Sequence, residues 1–92
     1  MTTVTGEIEK QIHQFLIDNF VFDPSARIGP EDSLLESGII DSTGVLEVIM
    51  WLESTFGFTV EDQEVLPENL DSIRNIAGYI QRKLAHSLAA AS

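Results

Sequence analysis

Ninety-two residues with 43% apolar and 22% charged side chains supply enough core for one compact domain, and the charge is too sparse for a wholly disordered chain. No apolar run approaches the length of a membrane span, no charged-then-apolar leader opens the sequence, and with no cysteine there is neither a disulfide framework nor a thiol on the polypeptide. A net charge of −10 repels nucleic acid and anionic membrane and favours a basic protein surface as partner. These readings place a single domain over residues 1–92, with its ordered core at about 5–85, as a monomer in the cytoplasm.

The first apolar period is Ile8, Ile12, Phe15, Leu16 and Phe20, which predicts an amphipathic helix from about residue 5 to 19, with Thr5 as N-cap and frayed residues before it. Residues 20 to about 41 then show no sustained period. Pro24, Gly29, Pro30 and Gly38 interrupt regular structure, while Phe22, Ile28, Leu34, Leu35, Ile39 and Ile40 provide apolar anchors. A loop of this length in a small domain is expected to be ordered and functional, with a short helical turn near Asp32.

A second helix is predicted from Ser42 to about Phe56, capped by Asp41 and stopped by Gly57. At 100° per residue, Val45, Val48, Ile49, Leu52 and Phe56 form its core stripe. Thr43, Leu46, Glu47 and Met50 occupy an adjacent face with Glu53 at its margin. That mixture of aliphatic and acidic side chains suits docking, although Leu46 and Met50 packed beneath the long loop would give the same pattern. Phe58 and Val60 lead out in an extended passage, and Glu61 to Leu70 reads as irregular with one short helix. Asp71 or Ser72 caps a last helix whose stripe is Ile73, Ile76, Ala77, Ile80 and Leu84, weakened slightly by Gly78 and frayed from Ala85. The fold class is all-α: a small bundle of three principal helices and one minor one, with a long loop between the first and second.

No complete catalytic constellation is present. His13 and His86 stand apart from any nucleophile, the acidic clusters Glu31/Asp32 and Glu61/Asp62/Glu64 lack the alternating ligands and central glycine of a calcium loop, and no metal site is expected. Charge is also distributed unevenly. Between Gln11 and Ile73 the only basic residue is Arg27, whereas Lys10, Arg74, Arg82 and Lys83 lie toward the termini.

The most informative position is the start of the second helix. Helix N-termini present unpaired N–H groups and the positive end of the macrodipole, so the Ser42 hydroxyl is well placed to carry a phosphate-linked group. Asp and Ser also begin many helices for capping alone. The long loop, the glycine at 38, the mixed face and the acidic chain are what single this pair out.

The stretch Leu35-Glu36-Ser37-Gly38-Ile39-Ile40-Asp41-Ser42-Thr43-Gly44, continuing through Leu52-Glu53 to Phe56-Gly57, resembles the acyl carrier protein family around its phosphopantetheine-bearing serine. The closing segment Glu68-Asn69-Leu70-Asp71-Ser72-Ile73 resembles the entry to that family's last helix, and the similarity extends from about Glu7 to Leu84. Its Ser-Gly-x-x-Asp-Ser-x-Gly arrangement is most similar to stand-alone carriers, including those of D-alanine and other amino acids. The resemblance implies a four-helix bundle that is not an enzyme. It implies a 4′-phosphopantetheine arm on Ser42, beside Asp41, installed from coenzyme A by a phosphopantetheinyl transferase with magnesium. Acyl or aminoacyl groups would ride on the arm as thioesters, loaded by a ligase and passed to downstream synthase or transferase enzymes. An apolar seam between the second helix and residues 61–72 would shelter an acyl chain. Asp41, Thr43, Leu46, Glu47, Met50 and Glu53 match positions where the family meets partners.

Thr43 replaces the leucine common after the serine, Gly44 stands where fatty-acid carriers have a polar or acidic residue, and Trp51, Ser54 and Thr55 make the end of the helix less acidic. These differences favour a specialised pathway. Trp51 is expected either half-buried against the third-helix segment or as a recognition residue. The alternative reading is a helical interaction module whose acidic face docks a basic protein, with Ser42 only a cap. A third is a protein stabilised by divalent ions through charge screening alone.

Overall fold

The computed structural model describes residues 4–21 and 28–91, with the side chains of 6–21 and 28–85. The expected anchor Phe22, the breaker Pro24, Arg27, the fraying of residues 1–3 and the side chain of His86 lie outside the described residues. Helix α1 spans Val4–Phe20, α2 Ser42–Phe56, α3 Pro67–Leu70 and α4 Ile73–Ala91, with a 3-10 turn at Asp62–Glu64. The described residues contain these four α-helices and no strand, as the apolar periods predict.

The boundaries differ from the predicted ones chiefly at the ends. Helix α1 begins at Val4, a residue expected to fray, so Thr5 lies in its first turn and not at the cap. Helix α4 continues through the alanine-rich segment to Ala91, in keeping with the high helix propensity of alanine, where fraying from Ala85 was expected. Near Asp32 the Asp32 N–H donates to the Gly29 carbonyl at 3.1 Å while the Gly29 N–H donates to the Asp32 carboxylate at 2.8 Å, and the expected single helical turn follows at once, with the Ser37 N–H donating to the Ser33 carbonyl at 3.0 Å.

The core is assembled on α4. Ile73, Ile76, Ala77, Tyr79 and Ile80 are buried, and against them pack Ile8, Ile12 and Leu16 of α1, Val48 and Leu52 of α2, and Leu70 of α3. Leu84 is half-buried at the rim of this core. The predicted α2 stripe is therefore graded. Its centre, Val48 and Leu52, is sealed, while Val45, Ile49 and Phe56 are half-buried at its edges. Ile28, Leu34 and Ile40 are buried as well, which makes the segment before α2 part of the core. Of the proposed anchors, Leu35 is exposed and Ile39 half-buried.

An aromatic chain runs along one side. Phe20 meets Phe15 edge to face, Phe15 stacks on Trp51 with centroids 4.5 Å apart, and Trp51 meets Phe56 edge to face. Trp51 is half-buried, but against α1 and not against the third-helix segment. Gly57 ends α2 in the left-handed conformation (φ +77°), and its N–H donates to the Glu53 carbonyl at 3.0 Å.

Candidate functional site

Ser42 is the first residue of α2, and its neighbours fix how it is presented. Asp41 is extended (φ −117°, ψ −170°), its carboxylate accepts the Gly44 N–H at 2.8 Å, and its carbonyl accepts the Val45 N–H at 2.9 Å. Asp41 is thus the helix cap, as predicted. Helix geometry then leaves the Ser42 and Thr43 N–H groups without intrahelical acceptors. Ser42 itself is exposed, and among the described residues no hydrogen bond engages its hydroxyl. A nucleophilic oxygen that is neither caged nor needed as a cap is what a covalent anchor requires.

The structure supplies a physical reason for glycine at position 44. The residue is buried, and a Cβ there would stand 3.1 Å from the Ile40 Cβ and 3.2 Å from the Phe20 ring. Glycine therefore allows the start of α2 to close against the end of α1 and the preceding loop.

Downstream of Ser42, Leu46 and Met50 are 60% and 68% exposed, and Thr43 and Glu47 are exposed too. Neither Leu46 nor Met50 packs beneath the loop, so the mixed face is open. Glu53 behaves differently. It is half-buried, and its carboxylate accepts the Val60 N–H at 2.9 Å, tying the extended passage back to α2.

Beside this face, Val45, Leu35, Val65, Leu66, Pro67, Leu70 and Asp71 line an apolar pocket of about 100 Å³. Val45 places it one helical turn from Ser42, between α2 and the 65–71 segment. Glu64, the residue before Val65 of this lining, is the centre of a polar cluster. A single Glu64 carboxylate oxygen accepts from the Glu61 N–H at 3.0 Å, the Tyr79 hydroxyl at 3.0 Å and the Lys83 ammonium at 2.9 Å. The Glu61 N–H bond, followed by Lys83 and Tyr79, holds the Glu64 carboxyl below its ordinary value of 4.5 against an opposing contribution from burial. Burial, then Glu64, pushes the Tyr79 hydroxyl well above its ordinary value. The ammonium of Lys83 also lies 5.8 Å from the centre of the Phe58 ring.

Eleven of the chain's 15 acidic residues, and no lysine or arginine, fall between Glu31 and Asp71. The field around Ser42, Glu47 and the pocket mouth is accordingly negative. His13 is half-buried on α1, away from this region. Among the described residues no group of three or more potential ligands gathers to hold a metal, and no helix is long and apolar enough to cross a membrane.

The geometry thus brings together Asp41, Ser42, Thr43, Leu46, Glu47 and Met50, and diverts Glu53 to an internal bond. Asp71, Glu64 and Tyr79 were not among the predicted site residues, and the Ser33–Asp71 and Tyr79–Glu64 bonds span 38 and 15 residues, too far for a local pattern to reveal them.

A family model described as a phosphopantetheine attachment site matches residues 21–80, well over half the chain. Among characterised relatives, a D-alanyl carrier protein from Abiotrophia defectiva is 29% identical over 70 residues, covering 76% of this chain and 89% of its own. An acyl carrier protein from Thermosynechococcus vestitus is 32% identical over 80 residues, covering 87% and 95% respectively. Another acyl carrier protein, from Thermobifida fusca, is 27% identical over 67 residues, covering 73% and 82%.

Proposed function

This chain belongs to the acyl carrier protein family, whose prosthetic group is a covalently attached 4′-phosphopantetheine, and from that premise we propose that the arm is borne by the Ser42 hydroxyl. On this reading a single domain carries acyl or aminoacyl groups between enzymes without catalysing their chemistry. The observation that carries it is the state of Ser42: exposed, unbonded, first in its helix, with the capping role already filled by Asp41.

The residues fit the group. A phosphodiester on the Ser42 oxygen would lie at the positive end of α2 near the Ser42 and Thr43 N–H groups, an interaction of about 0.3–1 kcal/mol at an exposed helix start. Asp41 keeps its carboxylate turned toward the Gly44 N–H, which orders the turn that presents the hydroxyl. When bound, the arm supplies the thiol that the polypeptide lacks, on which cargo is held as a thioester.

Thr43, Leu46, Glu47 and Met50 form the docking face in this account, and the acidic field steers basic partners onto it. Those partners are a phosphopantetheinyl transferase, a loading ligase and a downstream synthase or transferase. Glu53 contributes to this face by holding the helix end and the Val60 passage together. A small monomeric surface of this kind suits fast, repeated exchange between enzymes, and the setting is the cytoplasm.

A short cargo suits the pocket of about 100 Å³ beside Ser42, which is smaller than the engineered cavity of about 150 Å³ that takes up benzene. The likeness to a D-alanyl carrier favours an aminoacyl or short acyl group in a specialised pathway. The test is intact mass: incubation with coenzyme A, magnesium and a phosphopantetheinyl transferase adds one phosphopantetheinyl group, and Ser42→Ala abolishes the gain. Absence of any gain with several transferases would return the chain to a helical interaction module.

A further inference from the structure

The segment leading to Ser42 has no helix among its described residues, yet Leu34 and Ile40 within it are buried. One residue far along the chain accounts for much of this order. Asp71, at the junction of α3 and α4, accepts the Ser33 hydroxyl on one carboxylate oxygen at 2.6 Å and the Leu35 N–H on the other at 3.0 Å. Its backbone carbonyl accepts the intervening Leu34 N–H at 2.7 Å. Three consecutive residues are therefore clasped by a single acceptor residue. The Ser33 hydroxyl oxygen also accepts the Glu36 N–H at 3.1 Å, and the Ile40 N–H donates to the Leu34 carbonyl at 3.2 Å, so the order passes along the loop to the residue preceding Asp41.

This clasp has a second consequence. Asp71 and Leu35 both line the apolar pocket, facing Val45 of α2 across it. The carboxylate that fixes Leu35 thus also fixes one wall of the pocket. We propose that Asp71 is a positioning residue: by clasping residues 33–35 it sets both the approach of the chain to Ser42 and the width of the neighbouring pocket. The proposal rests on Ser42 as the attachment point.

Its action differs from general stabilisation because α2 carries its own docking residues. Leu46, Glu47 and Met50 share a helix with Ser42 and keep their arrangement when the loop loosens, whereas the Asp41–Ser42 turn is where that loop enters the helix. Loss of the clasp is therefore felt in the rate of modification at Ser42 more than in docking.

The experiment compares the full apo chain with its Asp71→Ala and Ser33→Ala variants, using amide hydrogen exchange and the kinetics of transferase modification with coenzyme A. In Asp71→Ala, the Leu35, Glu36 and Ile40 amides exchange about tenfold faster, as expected when a charge-assisted bond ordering a loop is lost, while Ile80 in α4 keeps its wild-type rate. The kcat for modification falls about threefold, with KM for the carrier unchanged, because alignment and not docking is impaired. Ser33→Ala, which keeps the Leu35 N–H bond to Asp71, gives a smaller change of the same pattern, and the double variant loses less than the sum of the two single variants because the Ser33–Asp71 bond is common to both. Wild-type exchange at Leu35 and Ile40, equal acceleration at Ile80, or a loss confined to KM would each overturn the proposal. Should Asp71→Ala fail to fold, the Ser33→Ala comparison decides by the same readouts. Failure of the wild-type chain to gain mass would instead reject Ser42 as the anchor and leave the exchange result to judge the clasp.

Discussion

Trp51 of α2 stacks on Phe15 of α1 with ring planes only 15° apart and centroids 4.5 Å apart. This contact joins the helix that carries Ser42 to the first helix, and Phe20 and Phe56 extend it on either side through edge-to-face contacts. Trp51→Ala should therefore cost about 2–3 kcal/mol, below the range for a fully buried tryptophan because the side chain is half-exposed. Trp51→Phe should recover more than half of that. Denaturant melts followed by circular dichroism measure both. The wild-type melt can also be followed by fluorescence, since this is the chain's one tryptophan and reports α1–α2 separation directly.

The sequence makes Trp51 conspicuous without showing what it touches. Periodicity along one helix gives the direction in which a side chain leaves the axis, but not which neighbour meets it. The same limit explains the rest of the pattern. The ends of α2 were legible because Asp41 and Gly57 act within a few residues, through the Gly44 N–H and the Glu53 carbonyl. The role of Asp71 was hidden because its side-chain partners Ser33 and Leu35 lie 38 and 36 residues away, and a helix-start aspartate reads locally as a cap. Ser72 in fact supplies that cap, accepting the Asn75 N–H at 3.0 Å.

Asp41 and Ser42 should separate cleanly by stability. Asp41→Ala removes the bond to the Gly44 N–H and should cost about 1 kcal/mol, the usual loss for an N-cap. Ser42→Ala removes an exposed hydroxyl with no described hydrogen-bond partner and should change stability by less than about 0.5 kcal/mol. Chemical denaturation of both variants checks this pair of values. A loss of 1 kcal/mol or more in Ser42→Ala would show that the hydroxyl supports the helix, contrary to its proposed freedom.

The open face of α2 yields the opposite separation, between stability and partner use. Leu46→Ser and Met50→Ser remove side chains that are already 60% and 68% exposed, so melting should shift by no more than about 0.5 kcal/mol. Glu47→Lys reverses the charge of an exposed residue in the negative region and should slow association several-fold, with the difference narrowing as salt is added. Transferase kcat/KM at low and high ionic strength provides the readout. Unchanged kinetics across all three variants would place the docking surface elsewhere.

The cluster around Glu64 makes stability depend on pH at both extremes. Because the Glu61 N–H, Lys83 and Tyr79 together lower the Glu64 carboxyl in the folded protein, its contribution is fully present above about 4.5 and is lost as pH falls through the lower folded value. Glu64→Gln should then be less stable than the wild type at neutral pH by about 1 kcal/mol, a figure held down by partial exposure, and the gap should close below pH 4.5. Tyr79 acts at the other end. Its hydroxyl is raised above the ordinary 10.0 first by burial and then by Glu64, so folding favours the protonated form and stability declines as pH rises beyond 10. Tyr79→Phe should flatten that alkaline decline. It also removes one of the three donors to Glu64, so the neutral-pH gap to Glu64→Gln should narrow in the Tyr79→Phe background. Thermal melts of the single and double variants from pH 3 to 11 test all three statements; a neutral-pH gap that Tyr79→Phe leaves untouched would mean that the Glu61 N–H and Lys83 alone hold the carboxylate.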